Sequence, residues 1–76
     1  MDNEIKDILV ELLKNEDLKN ISNEDDLTEY GLDSLQSIEL VVLLEEKYSI
    51  TFAEEDLLLE KISSVKKIIE TINKYL

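Results

Sequence analysis

A single glycine and no proline stand in this chain of 76 residues, so strong backbone punctuation is confined to Gly31. Gly31 lies just ahead of the longest apolar stretch, Ile38 to Leu44, in which only Glu39 is polar. A loop is therefore expected to turn at Gly31 and to enter a helix at Asp33 or Ser34. Such a start puts a serine hydroxyl beside backbone N–H groups without intrahelical acceptors, at the positive end of the helix dipole. Two uses of that position stay open from the residues alone. Ser and Asp are the usual N-cap residues, a role worth about 1 kcal/mol. The same place also suits a bound or attached phosphate.

Hydrophobic spacing organises the remainder. Ile5, Ile8, Leu9, Leu12 and Leu13 recur at helical intervals and predict an amphipathic helix from Asp2 to Asn15. Glu16 to Asp33 reads as a long polar connection rich in turn and cap formers (Asn20, Ser22, Asn23, Asp25, Asp26), with Leu18, Ile21, Leu27, Tyr30 and Leu32 placed to pin it onto a core. Within it, Ser22-Asn23-Glu24-Asp25 resembles a capping box and suggests one helical turn at Asn23–Leu27. A second helix, from Ser34 to Lys47 or Tyr48, is apolar over so much of its girth that it is expected to be central and covered on more than one side. Ser49 to Phe52 should run as an extended linker, with Ile50 and Phe52 reaching the core. Ala53 to Leu59 should follow as a short, weakly held helix. Ser63 or Ser64 then caps a final helix with Val65, Ile68, Ile69, Ile72, Tyr75 and Leu76 on one face, its lysines lying on an ordinary solvated face. The expected fold is all-α: a small bundle of three main helices plus one short helix, in a single domain over residues 1–76.

Composition narrows the chemistry. The chain lacks both cysteine and histidine, which removes disulfides, thiolate metal sites and the commonest general base. Without such a base Ser34 is not a self-sufficient nucleophile, and a Ser–Lys pair needs a desolvated lysine pocket for which a small bundle has little room. No enzyme activity is expected. A calcium loop can be tested by register: with Gly31 at the sixth position of an EF-hand, Asp26, Thr28, Tyr30 and Ser37 occupy the first, third, fifth and twelfth, and Tyr30 and Ser37 do not fit. Charge is strongly acidic and uneven. Residues 1–60 hold 18 acids and 4 lysines, a net of −14, whereas residues 61–76 hold 1 acid and 4 lysines, a net of +3. Such a surface repels nucleic acid and anionic membranes, and attracts basic partners or simply keeps the chain dissolved. Met1-Asp2-Asn3-Glu4 does not read as a signal peptide, and no run approaches the roughly 18 apolar residues of a membrane span. A monomer in the cytoplasm is expected.

Gly31-Leu32-Asp33-Ser34-Leu35 followed by Ile38-Glu39-Leu40 resembles the attachment-site motif of acyl carrier proteins. In that family the serine of an Asp-Ser-Leu triplet carries 4'-phosphopantetheine, derived from coenzyme A, as a phosphodiester. The resemblance covers nearly the whole chain, including the long first loop and a minor third helix. It implies Ser34 as the attachment residue, with Asp33 and Leu35 completing the triplet and Leu35 offering apolar contact to the modifying enzyme. Glu39, Glu45 and Glu46 match acidic docking positions on the second helix. Gln36 stands beside the arm, where fatty-acid carriers often have an acid. Val41, Leu44, Phe52, Leu57, Ile62 and Ile68 are candidates to line a core that shelters an acyl chain. The implied partners are a phosphopantetheinyl transferase and acyl-loading, condensing and modifying enzymes with basic docking patches.

The implied function is a discrete carrier that presents thioesters to fatty-acid or polyketide-type enzymes. An aminoacyl, D-alanyl or peptidyl carrier would share the fold; peptidyl carriers more usually show Gly-Gly ahead of the pair before serine, and D-alanyl carriers Met after it, where this chain has Gly31-Leu32 and Leu35. Two rivals come from other classes. An acidic helical protein binding or inhibiting a basic partner would show regularly spaced acids over its whole surface. A small hydrolase or transferase would turn over substrate in its unmodified form.

Overall fold

The computed structural model, which describes all of residues 1–76, contains three α-helices and no strand: α1 (Asp2–Leu13), α2 (Ser34–Tyr48) and α3 (Val65–Asn73). α1 carries Asp2 and Glu4 in its first turn, where carboxylates suit the helix dipole. It ends two residues earlier than the spacing predicts. Lys14 adopts a left-handed conformation (φ 54°) and returns its N–H to the Val10 carbonyl, freeing Asn15 to cap the next turn by accepting from the Asp17 N–H at 3.0 Å. α3 is capped by Ser64, whose Oγ accepts from the Lys67 N–H at 3.2 Å.

The long connection is fastened in two ways. Leu18, Ile21, Leu27 and Leu32 are buried in the common core with Ile5 and Leu9 of α1, Leu40, Val41 and Leu44 of α2, and Val65, Ile68 and Ile72 of α3. Backbone bonds then tie it to the entry of α3: the Leu27 N–H donates to the Ser63 carbonyl at 2.7 Å, and the Lys66 N–H to the Asn23 carbonyl at 2.9 Å. Its regular parts are two 3₁₀ turns, Glu16–Asn20 and Leu27–Tyr30. At Ser22–Asp25 the expected reciprocal bonds form (Ser22 N–H to Asp25 Oδ2 at 3.0 Å, Glu24 N–H to Ser22 Oγ at 3.2 Å), but they close an isolated turn. The helical turn begins at Leu27, where Asp26 provides the cap.

Two expectations need correction. α1 packs against both α2 and α3, whereas α2 packs against α1 and the turn Glu54–Leu57. The α2 side bearing Leu35, Ile38 and Val42 is consequently open, with exposures of 68%, 63% and 47%. The reason lies in the next segment. Phe52 does reach the core, but Ala53–Leu59 forms no α-helix; it yields two 3₁₀ turns, Glu54–Leu57 and Leu59–Lys61, too short to cover that side. Leu57, expected in the core, is therefore exposed, while Val41, Leu44, Phe52, Ile62 and Ile68 are buried.

The lysines of the C-terminal segment are likewise not all solvated decoration. Lys74 Nζ lies 2.6 Å from Oδ1 of Asp56, a carboxylate that is 2% exposed. The Tyr75 hydroxyl donates to Oδ2 of the same group and accepts from the Ala53 N–H at 2.8 Å. The Lys74 hydrogen bond, then the Tyr75 hydroxyl, hold the Asp56 carboxyl below the ordinary range; Asp56 in turn raises Lys74 and Tyr75. Tyr48 donates to Glu4 Oε1 at 3.3 Å and Lys47 approaches Glu4 Oε2 at 3.5 Å, linking α2 to α1. Partial burial and the Glu4 charge raise the Tyr48 pKa.

Leu44→Ala and Ile68→Ala each remove a fully buried side chain and are expected to cost about 2–5 kcal/mol in urea denaturation, a large share of the stability of a domain this small. Asp56 has its own pH signature. Because its folded pKa is lowered, its contribution is fully present above the unfolded value near 3.8 and is lost as pH falls through the lowered folded value. The stability difference between wild type and Asp56→Asn, measured by urea melts from pH 7 to pH 2.5, is expected to be largest at neutral pH and to shrink below about pH 3.8.

Candidate functional site

The residues around Ser34 are set by two consecutive caps. Asp26 Oδ1 accepts from the Thr28 N–H at 3.0 Å and the Thr28 hydroxyl at 2.6 Å, starting the turn Leu27–Tyr30. The Thr28 hydroxyl, then its N–H, hold the Asp26 carboxyl below its ordinary pKa. Gly31 closes that turn at φ 106°, and the Leu32 N–H returns to the Leu27 carbonyl at 3.1 Å. An added Cβ at Gly31 would meet nothing within 4 Å, so the demand for glycine is one of dihedral angle and not of space. Leu32, which is 2% exposed, then anchors the chain in the core immediately before the helix.

Asp33 supplies the N-cap of α2. Its Oδ1 accepts from the Gln36 N–H at 2.8 Å, and its carbonyl accepts from the Ser37 N–H at 2.8 Å. The buried Ser37 hydroxyl donates to the Ser34 carbonyl at 2.7 Å, securing the first turn from within. Ser34 is thus the first residue of the helix and not its cap. Its side chain is exposed, its hydroxyl makes no hydrogen bond, and the N–H groups of Ser34 and Leu35 have no acceptor in the chain. This separates the two uses that the sequence left open: the capping role is filled by the neighbouring carboxylate.

The expected docking residues fall into two groups. Glu39 and Glu46 are exposed on α2. Glu45 is half-buried, and its Oε2 accepts from the Phe52 N–H at 2.9 Å, so this carboxylate fastens the following segment. Gln36 is half-buried, with Oε1 enclosed and without a partner. The apolar residues exposed among these acids were not singled out as a surface from the sequence. Leu35, Ile38 and Val42 stand at i, i+3 and i+7, a helical stripe distinct from that of Leu40 and Leu44; this spacing was the signal available. With Val41, Glu45, Phe52 and Leu57, two of them, Ile38 and Val42, border a groove of about 180 Å³.

A phosphopantetheine attachment site family model matches residues 3–72. The chain is 36% identical over 70 residues to an acyl carrier protein of Buchnera aphidicola subsp. Acyrthosiphon pisum, covering 92% of this chain and 85% of that one. It is 33% identical over 73 residues to the acyl carrier protein of Buchnera aphidicola subsp. Schizaphis graminum, covering 96% and 90% respectively. The chain belongs to the acyl carrier protein family. It is a carrier without catalytic activity of its own, and it works through covalently attached 4'-phosphopantetheine. The terminal thiol of that group supplies the thioester chemistry for which the chain, lacking cysteine, has no residue. No helix of the carrier is long and apolar enough to cross a membrane.

The geometry of the two caps makes a stability prediction. Asp33→Ala should cost about 0.5–2 kcal/mol through the lost cap. Gly31→Ala should cost about 1–2 kcal/mol through its left-handed backbone. Ser34→Ala should stay within about 0.5 kcal/mol of wild type. Thermal or urea melts of the three variants check the order; a Ser34→Ala cost matching that of Asp33→Ala would return the capping role to Ser34.

Proposed function

We propose that Ser34 carries the phosphopantetheine and that the carrier serves fatty-acid or polyketide-type synthesis in the cytoplasm. The observation that supports the assignment is the division of labour at the helix start. Asp33 makes the cap bond to the Gln36 N–H, leaving the Ser34 hydroxyl exposed and unengaged. The surroundings fit the group. No side chain encloses the hydroxyl, and the unbonded N–H groups of Ser34 and Leu35 lie at the positive end of α2, where a phosphodiester gains about 0.3–1 kcal/mol. Ser34 Oγ forms the new bond to the phosphorus of coenzyme A that bears the pantetheine arm, the pyrophosphate P–O bond breaks and adenosine 3',5'-bisphosphate leaves, and the hydroxyl proton passes to a base of the modifying enzyme. Asp33 holds the serine at the helix start. Leu35 is available for apolar contact with the same enzyme.

Partner enzymes are met mainly through α2. Exposed Glu39 and Glu46 supply negative charge for basic patches, and Leu35 and Ile38 supply apolar contact between them and Ser34. Glu45 and Gln36 take part more indirectly. Glu45 is bound to the Phe52 N–H, and Gln36 contributes through the helix backbone beside the attachment residue. The charge contribution to docking weakens with salt, whereas the apolar contribution persists. The whole of residues 1–76 acts as one carrier domain.

Intact mass before and after incubation with coenzyme A and a broad-specificity phosphopantetheinyl transferase tests the assignment. Wild type is expected to gain one phosphopantetheine, and folded Ser34→Ala none. A gain on Ser34→Ala would move the attachment to another hydroxyl, and no gain on folded wild type that begins unmodified would overturn the reading.

A further inference from the structure

The segment between α2 and α3 contains a buried ionised group that attachment and docking do not use. Asp56 is 2% exposed, and both its oxygens are engaged by the two residues that follow α3: Oδ1 by Lys74 Nζ at 2.6 Å, Oδ2 by the Tyr75 hydroxyl. The Tyr75 oxygen also accepts from the Ala53 N–H at 2.8 Å, and its ring lies 5.5 Å from that of Phe52, tilted by 54°. Three residues of the segment, Phe52, Ala53 and Asp56, thus converge on Tyr75. At its leading end the Phe52 N–H is held by Glu45 Oε2 at 2.9 Å. The segment's own backbone offers little to hold it in place. It forms two short 3₁₀ turns, the first begun by the Asp56 N–H donating to the Ala53 carbonyl at 3.0 Å, and no α-helical ladder continues from them. This segment forms one wall of the groove of about 180 Å³, contributing Phe52 and Leu57 opposite Ile38, Val41 and Val42 of α2.

We infer that Asp56, Lys74 and Tyr75 form a latch that sets whether the wall Phe52–Leu57 stands closed against α2 or lifts away and opens the groove. The latch acts in two states because its centre is a carboxylate only 2% exposed. Losing one partner leaves charge unpaired in a site nearly closed to solvent, a costly arrangement that is relieved when Asp56 moves out to water. Asp56 cannot move alone, since Ala53 and Phe52 are joined to the same tyrosine; the turn moves as a unit. The route outward is short, because the Lys74 side chain is already 53% exposed. Lifting the wall removes Phe52, now 6% exposed, from the core and joins its former space to the groove, making room for a larger apolar ligand. The latch does not depend on which hydroxyl bears the phosphopantetheine. It is therefore tested on unmodified protein, so that its failure and failure of the Ser34 assignment are read separately.

Native-state hydrogen exchange is compared in wild type, Asp56→Asn and Tyr75→Phe, together with binding of the neutral apolar fluorophore N-phenyl-1-naphthylamine. Tyr75→Phe keeps the ring on Phe52 and removes only the hydroxyl, which guards against a variant that fails to fold. The amides to follow are Phe52 and Asp56, whose own acceptors remain in place in Tyr75→Phe, against Leu9 and Leu44 in the helices as reference. Exchange at Phe52 and Asp56 is expected to quicken at least about tenfold, the scale of a lost hydrogen bond to a charged group, and to stay faster than at Leu9 and Leu44, which quicken only as far as the stability lost in urea melts requires. Fluorophore binding is expected to strengthen in parallel. Exchange at Phe52 and Asp56 no faster than at Leu9 and Leu44 would mean that the segment opens only with the whole fold and overturn the latch, as would exchange at Phe52 and Asp56 unchanged from wild type. Faster local exchange without stronger fluorophore binding would overturn its control of the groove.

Discussion

The size of the chain governs its architecture. Three α-helices, the longest of 15 residues, do not provide enough apolar surface for a closed core, and small domains bury a low fraction of their surface. The long connection makes up the difference. Leu18, Ile21, Leu27 and Leu32 enter the same core as the helices, so the loop is as much a packing element as α1. The arrangement of the attachment region follows from this requirement. Burial of Leu27 and Leu32 fixes both ends of a turn whose only left-handed residue is Gly31, and the chain leaves that turn pointing along α2.

The helix start separates two tasks often assigned to a serine in that position. Asp33 closes the helix electrostatically and by hydrogen bonding, and Ser37 secures it from the buried side. Ser34 is left with no structural duty. A residue that will be esterified by another enzyme benefits from that freedom, since modification then leaves the helix cap intact. The same economy runs along α2: the side facing α1 is packed, and the side bearing Leu35, Ile38 and Val42 remains open between acidic residues.

Much of this was legible in the sequence, for identifiable reasons. Spacing of five apolar residues marked α1, the sole glycine marked the turn, and the pair Ser63-Ser64 marked the start of α3, with Ser64 taking the cap. The motif around Ser34 pointed to the family through its residue types, whereas periodicity spoke only to helices. Other features resisted reading because they depend on tertiary geometry. An all-round apolar helix can be buried by neighbours or left open for a partner, and the outcome here was decided by the brevity of the turns after Phe52. Asp56 in the run Glu54-Glu55-Asp56 looked like its exposed neighbours; burial came from Lys74 and Tyr75, 18 and 19 residues away. Glu45 similarly belonged by pattern with Glu46, yet its carboxylate is taken by the Phe52 N–H.

The two backbone bonds that tie the first loop to the entry of α3 bear on the order in which the molecule is assembled. The Leu27 N–H needs the carbonyl of Ser63, and the Asn23 carbonyl needs the N–H of Lys66. A growing chain presents its amino-terminal residues first, so Gly31 and Ser34 are made long before the residues that anchor the turn beside them. The attachment region therefore acquires its full set of bonds only once Ser63 to Lys66 have been synthesised. An enzyme that reads the shape of this turn, and not merely its sequence, would discriminate a finished carrier from a nascent one.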